Sequence, residues 1–182
     1  LRRQRQMCIR DRASPIMEMK YNRSEVYNKK IKNLSKVISG IGFEETKTLP
    51  TIVGLCEVEN KNVVEDLINS DLLKNANYGI SHFDSPDERG IDVALIYRKN
   101  MFKILNENSA YLELKYASGK INYTRDQLVV EGVLENEKIY IIVNHWPSRS
   151  GGELGSRPYR NKAAELNMFI IDSIQSINKN AK

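Results

Sequence analysis

The chain's 182 residues are 41% hydrophobic and 28% charged, close to the average for a globular domain, which excludes a disordered chain. Its longest apolar run, Ile139 to Val143, falls far short of the ~20 residues a membrane-spanning helix needs. The two cysteines, Cys8 and Cys56, make neither a disulfide framework nor a zinc-ligand set. Of the net charge of +5, Arg2, Arg3, Arg5, Arg10 and Arg12 less Asp11 hold +4. The body is nearly neutral, so contact with a polyanion has to be argued from a local site.

Residues 1–20 show neither helical nor strand periodicity, and no apolar stretch of the kind a secretory signal carries follows the arginines. They are read as a basic leader, non-native or disordered, and the domain as residues 21–182. From Ser24, the positions Tyr27, Ile31, Leu34, Ile38 and Ile41 step by three and four, predicting a helix that stops at Gly42. The run Thr51 to Cys56 after Pro50 predicts a strand buried on both faces, ending in Glu57-Val58-Glu59-Asn60. Asn60 is placed to cap a second helix carrying Val63, Val64, Leu67 and Ile68.

Four more strands are predicted over Tyr78–Phe83, Asp92–Arg98, Gln127–Leu134 and Lys138–Asn144, the last two forming a hairpin. Residues 101–116 have room for one or two others. A Gly-, Ser-, Pro- and Arg-rich loop spans His145 to Arg157. Pro158 then suits the first turn of a final helix bearing Tyr159, Ala163, Leu166, Ile170, Ile174 and Ile177. Many strands with few helices favour an α+β fold of stacked sheets.

Several side chains stand where chemistry is usually held. Glu57 leaves a buried strand directly, so its carboxylate rides on a rigid element suited to a hard cation. His145 repeats that geometry after the Ile139–Asn144 run, and an imidazole fixed there can donate or accept a proton near neutrality. Asp92, at the start of its strand, is a candidate to orient His145, with a turn-capping role as the alternative. Arg125, Arg149 and Arg157 are of the type that grips phosphate in bidentate fashion. His82 reads as structural. No P-loop and no Gly-x-Ser-x-Gly elbow occurs.

The blocks VGLCEVEN (53–60), DSPDERGIDVALIY (84–97) and VNHWPSR (143–149), in that order, resemble the endonuclease/exonuclease/phosphatase superfamily over about residues 21–182. The resemblance implies a DNase-I-like four-layer α/β/β/α sandwich with two mixed sheets inside. It also implies a phosphodiester hydrolase using Mg²⁺ or Mn²⁺, in which water attacks the phosphoester in line. On matching positions, Glu57 would bind the metal, His145 would contact the scissile phosphate, Arg125 would contact phosphate and Asp92 would partner His145. Asn144 and Arg149, flanking His145, would bind substrate. DNA and RNA are among the phosphodiesters such enzymes take. A sphingomyelinase, a phosphoinositide or sugar phosphatase, and a non-catalytic binding module on the same fold are the alternatives.

The sequence departs from that family at both ends. The first-strand asparagine has no counterpart in strand context, since Asn22 lacks one, and no Gly-Asp-x-Asn or Asp-His string follows Ile177. The expectation is therefore a domain lacking both ends, inactive alone and poorly soluble from its unpaired strand edges.

Overall fold

The computed structural model describes residues 23–182; the leader reading and Asn22 lie outside them. Helix α1 (Arg23–Gly40) and a single turn, α2 (Phe43–Thr46), precede strand β1 (Ile52–Val58). Helix α3 (Lys61–Ile68) follows, with the Asn60 side chain accepting from the Val63 amide at 3.1 Å as the sequence predicts. Then come β2 (Tyr78–His82), β3 (Asp92–Arg98), β4 (Phe102–Ala110), β5 (Gln127–Leu134), β6 (Glu137–Val143) and helix α4 (Gly152–Ile177).

Among the described residues the strands form two three-stranded sheets, ordered β1-β3-β2 and β4-β5-β6. All pairs are antiparallel, where the resemblance implies mixed sheets. The reason lies in the strand order: β1 and β2, joined through α3, run parallel to each other, but β3 inserts between them and opposes both. The β5–β6 hairpin turns on Glu135 and Asn136, both at positive φ (49° and 66°), the twist a two-residue hairpin loop requires.

Alternation along β3 divides the interior. Ala94 and Ile96 face α1 and α3, joining Ile38, Leu55, Val64, Leu67 and Tyr78 in one core. Val93 and Leu95 face the second sheet, packing with Phe102, Leu128, Val130 and Val143. Helix α4 lies against the 112–114 segment through Tyr159, Ala163 and Leu166. The Gln127 amide also donates to the Ala163 carbonyl at 2.8 Å.

The second core explains Gly132: a Cβ there would come within 2.1 Å of the Phe102 ring, itself 1% exposed. Gly132→Ala is expected to destabilise the protein by ~1–3 kcal/mol through overpacking. Urea denaturation is the measurement, and an unchanged midpoint would contradict this packing.

The last helix differs from its sequence reading. It begins at Gly152, so Pro158 lies well inside it. Gly151 and Gly152, at φ 78° and 89°, turn the chain into the helix early, and Ser156 Oγ bonds the Gly152 carbonyl at 2.7 Å. The hydrogen bond that Pro158 cannot donate falls in an exposed turn, where Leu154 is 76% exposed.

Candidate active site

Strands β1 and β6 belong to different sheets, yet their ends meet. A Cβ on Gly54 would sit 3.4 Å from Val143, and Cys56 Sγ donates to the Asn144 carbonyl at 3.4 Å. One residue further along each chain, the Glu57 carboxylate and His145 Nε2 lie 3.9 Å apart. The two residues that the sequence singles out at separate strand exits thus come together, one from each sheet.

Glu57 reaches this place through an irregularity. The β1–β3 register slips between Cys56, opposite Val93, and Val58, opposite Asp92, leaving Glu57 as the bulged residue at φ 60°. For a side chain other than glycine such a backbone costs on the order of 1–3 kcal/mol and concentrates at functional sites. The strain leaves the Glu57 side chain 66% exposed beside the imidazole.

His145 is held differently. Its side chain is 27% exposed, and Nδ1 is buried with no hydrogen-bond partner. Burial first, and then the Arg125 charge, push the imidazole below its ordinary pKa, with Glu57 opposing. The neutral ring is therefore the resting form, and the neighbouring carboxylate favours the proton on Nε2. Between the lowered folded pKa and the ordinary value near 6.5, the unfolded chain binds a proton that the folded one does not. Stability falls as pH drops through that window. Wild type is expected to lose more stability than His145→Gln between pH 7 and pH 5, read by urea denaturation at both values. Equal losses would contradict the shift.

Arg125 is buried, and all three of its guanidinium nitrogens donate hydrogen bonds. Nε and Nη2 donate to the His145 carbonyl at 3.2 and 2.7 Å, Nη2 also to the Trp146 carbonyl at 3.1 Å, and Nη1 to Asp87 Oδ2 at 3.1 Å. Asp87, likewise buried, accepts a fork from Arg89 Nε and Nη2, both at 3.1 Å. Burial alone would raise the Asp87 pKa, but the bonds from Arg89 and Arg125 outweigh it and hold the carboxyl below the usual range.

Asp92 does not orient His145. One oxygen lies 3.2 Å from His82 Nε2, and the other accepts from the Ser85 amide and hydroxyl at 2.8 and 2.6 Å. Pleat parity explains the correction: Asp92 alternates with Val93 and shares the helix-side face of β3 with Ala94, whereas His145 arrives from the opposite sheet. The capping alternative describes Asp92 better. His82, Asp84 and Asp92 offer ligand atoms within 4.8 Å of one another, a second place where a cation could be held. There, hydrogen bonds already occupy both Asp92 oxygens.

Asn144 lies beside the meeting point, its Oδ1 buried and unpartnered, and Arg149 is exposed on the loop leading to α4. Arg157 makes a 3.7 Å ion pair with Glu153 on the helix surface. The residues that sequence reading misses are Asp87 and Arg89. Their local spacing in a turn is visible, but the pairing of Asp87 with Arg125, 38 positions away, leaves no local trace.

Over residues 7–182 the sequence matches the Endonuclease/Exonuclease/phosphatase family. No curated protein matches it. Among solved structures, an endonuclease/exonuclease/phosphatase from Bacteroides vulgatus superposes with a TM-score of 0.53 at 15% identity, covering 83% of this chain and 53% of that one. D. rerio TDP2 complexed with single strand DNA product gives 0.52 at 14%, covering 83% and 51%. The human Nocturnin catalytic domain with bound sulfate gives 0.50 at 18%, covering 84% and 53%. At these identities the likeness is one of fold, and the chain spans about half the length of each neighbour.

Proposed function

Because the chain belongs to the endonuclease/exonuclease/phosphatase family, we propose that it carries part of the site of a divalent-metal phosphodiester hydrolase, centred on Glu57 and His145. The observation that supports this reading is the convergence of those two side chains, 3.9 Å apart, with Glu57 held on a strained bulge.

The donor set fits a hard cation. Mg²⁺ keeps several waters and binds through one or two carboxylates plus substrate phosphates, and the exposed Glu57 carboxylate offers that open arrangement. The His82 cluster, mixed in donor type and already hydrogen-bonded, suits it less. Glu57 would hold the ion, with Mn²⁺ as the alternative to Mg²⁺. When bound, it supplies charge neutralisation on the phosphoryl and leaving oxygens.

The chain's own groups do the rest. Neutral His145 donates from Nε2 to a phosphoryl oxygen, where its hydrogen bond strengthens as negative charge builds. Arg125, spent on main-chain carbonyls and Asp87, holds the loop and leaves the ester to Arg149, which stands free in solvent four positions after His145. Asn144, beside the imidazole, lines the same approach. Single-stranded DNA, the ligand of the TDP2 neighbour, is the substrate class to try first.

The site as described gathers one exposed carboxylate and one imidazole, so slow turnover by the 182-residue chain is expected. Single-turnover cleavage of a single-stranded oligonucleotide is accordingly the assay. Cleavage is expected to need Mg²⁺, to stop with chelator, and to fall by ~10²–10³ in His145→Gln, as when one charge-stabilising donor is removed. Equal cleavage by wild type, His145→Gln and Glu57→Gln would contradict the assignment.

A further inference from the structure

We propose that Asp87 is a positioning residue for His145, acting through Arg125; the proposal rests on reading Glu57 and His145 as the reacting pair. The imidazole has no hydrogen bond of its own at Nδ1, so on that side only packing, and no directional bond, holds the ring. Its place is set by its main chain, and that main chain is held at two successive carbonyls, His145 and Trp146, by one guanidinium.

A guanidinium is a rigid planar fork. Nη1 bonds Asp87 while Nε and Nη2 donate to the two carbonyls, so one rigid plane ties the carboxylate to both of them. Asp87 is in turn fixed by the Arg89 amide at 2.9 Å and by the Arg89 fork. Three segments distant in sequence are thereby joined: the loop before β3, the segment leading into β5 and the exit of β6.

The pair is expensive, which argues for a purpose beyond stability. The side chains of Asp87 and Arg125 are 3% and 7% exposed, and burying such charges costs about what their attraction returns. What the arrangement supplies is geometry, and displacing a reacting group by ~1 Å can cost on the order of 100-fold in rate.

The chain's two histidines make the idea measurable without turnover. In wild type, Mn²⁺ bound at Glu57 is expected to broaden the His145 ring resonances. In Asp87→Asn, at equal Mn²⁺ occupancy read by EPR, that broadening is expected to fall several-fold, because the ring moves off the carboxylate. Undiminished broadening in the variant would overturn the positioning role while leaving the site reading standing. Absence of His145 broadening in wild type at bound Mn²⁺ would overturn the site reading and the proposal with it. Should the variant not fold, the unmodified protein decides through the Arg125 Nε–H. Slow exchange with water and hindered guanidinium rotation support the clamp, and solvent-like exchange overturns it.

Discussion

Glu57→Gly is expected to make the protein more stable while removing the metal binding proposed for this residue. Glu57 carries a left-handed backbone at φ 60° in the bulge at the end of β1, a conformation that costs a side-chain-bearing residue ~1–3 kcal/mol. Glycine relieves that cost but gives back ~0.5–1 kcal/mol in chain entropy, leaving a net gain of about 1 kcal/mol. Lys47, also left-handed at φ 55° but at the end of α2, is the control. Lys47→Gly should relieve comparable strain and leave cation binding untouched. Urea denaturation together with Mn²⁺ titration of both variants checks this. A destabilised Glu57→Gly, or one that still binds Mn²⁺ like wild type, would mean that the bulge does not hold a carboxylate for function at the expense of stability.

Asp87→Ala is expected to be among the most damaging single changes, at ~3–5 kcal/mol. The removed carboxylate leaves the buried Arg125 guanidinium without its anion and Arg89 without its fork partner. Asp71, whose ion pair with Lys74 is on the surface, supplies the contrast, since its removal should barely move the midpoint. Comparable effects of the two substitutions would show that the Asp87 network is solvated and carries no structural weight.

Local patterns explain what could be read in the sequence. The apolar run ahead of Glu57, the apolar run Val93–Tyr97 and the Asn60 cap each depend on residues a few positions apart, and the structure places two strands and a cap there. Strand β1, however, is buried only at Leu55 and Val58 and not on both faces as its composition suggests. The meeting of Glu57 with His145 follows from sheet topology once both lie at strand exits, although no spacing encodes it. What failed needed finer information. The Asp92 assignment depended on pleat parity relative to a sheet whose stacking the sequence does not specify. The start of α4 depended on Gly151 and Gly152 taking positive φ, a choice glycine permits without announcing. The Asp87–Arg125 clamp is a long-range pair of ordinary surface residue types, and only the packing of the two sheets reveals that both are buried.

The most direct test of the central claim is a Mn²⁺ titration of the unmodified protein, followed on the ring resonances of His145 and His82. If Glu57 is the cation-holding group, His145 broadens first, His82 stays sharp over the same range, and Glu57→Gln removes the effect. Broadening of His82 ahead of His145, unaffected by Glu57→Gln, would place the cation at His82, Asp84 and Asp92 instead and would contradict the account.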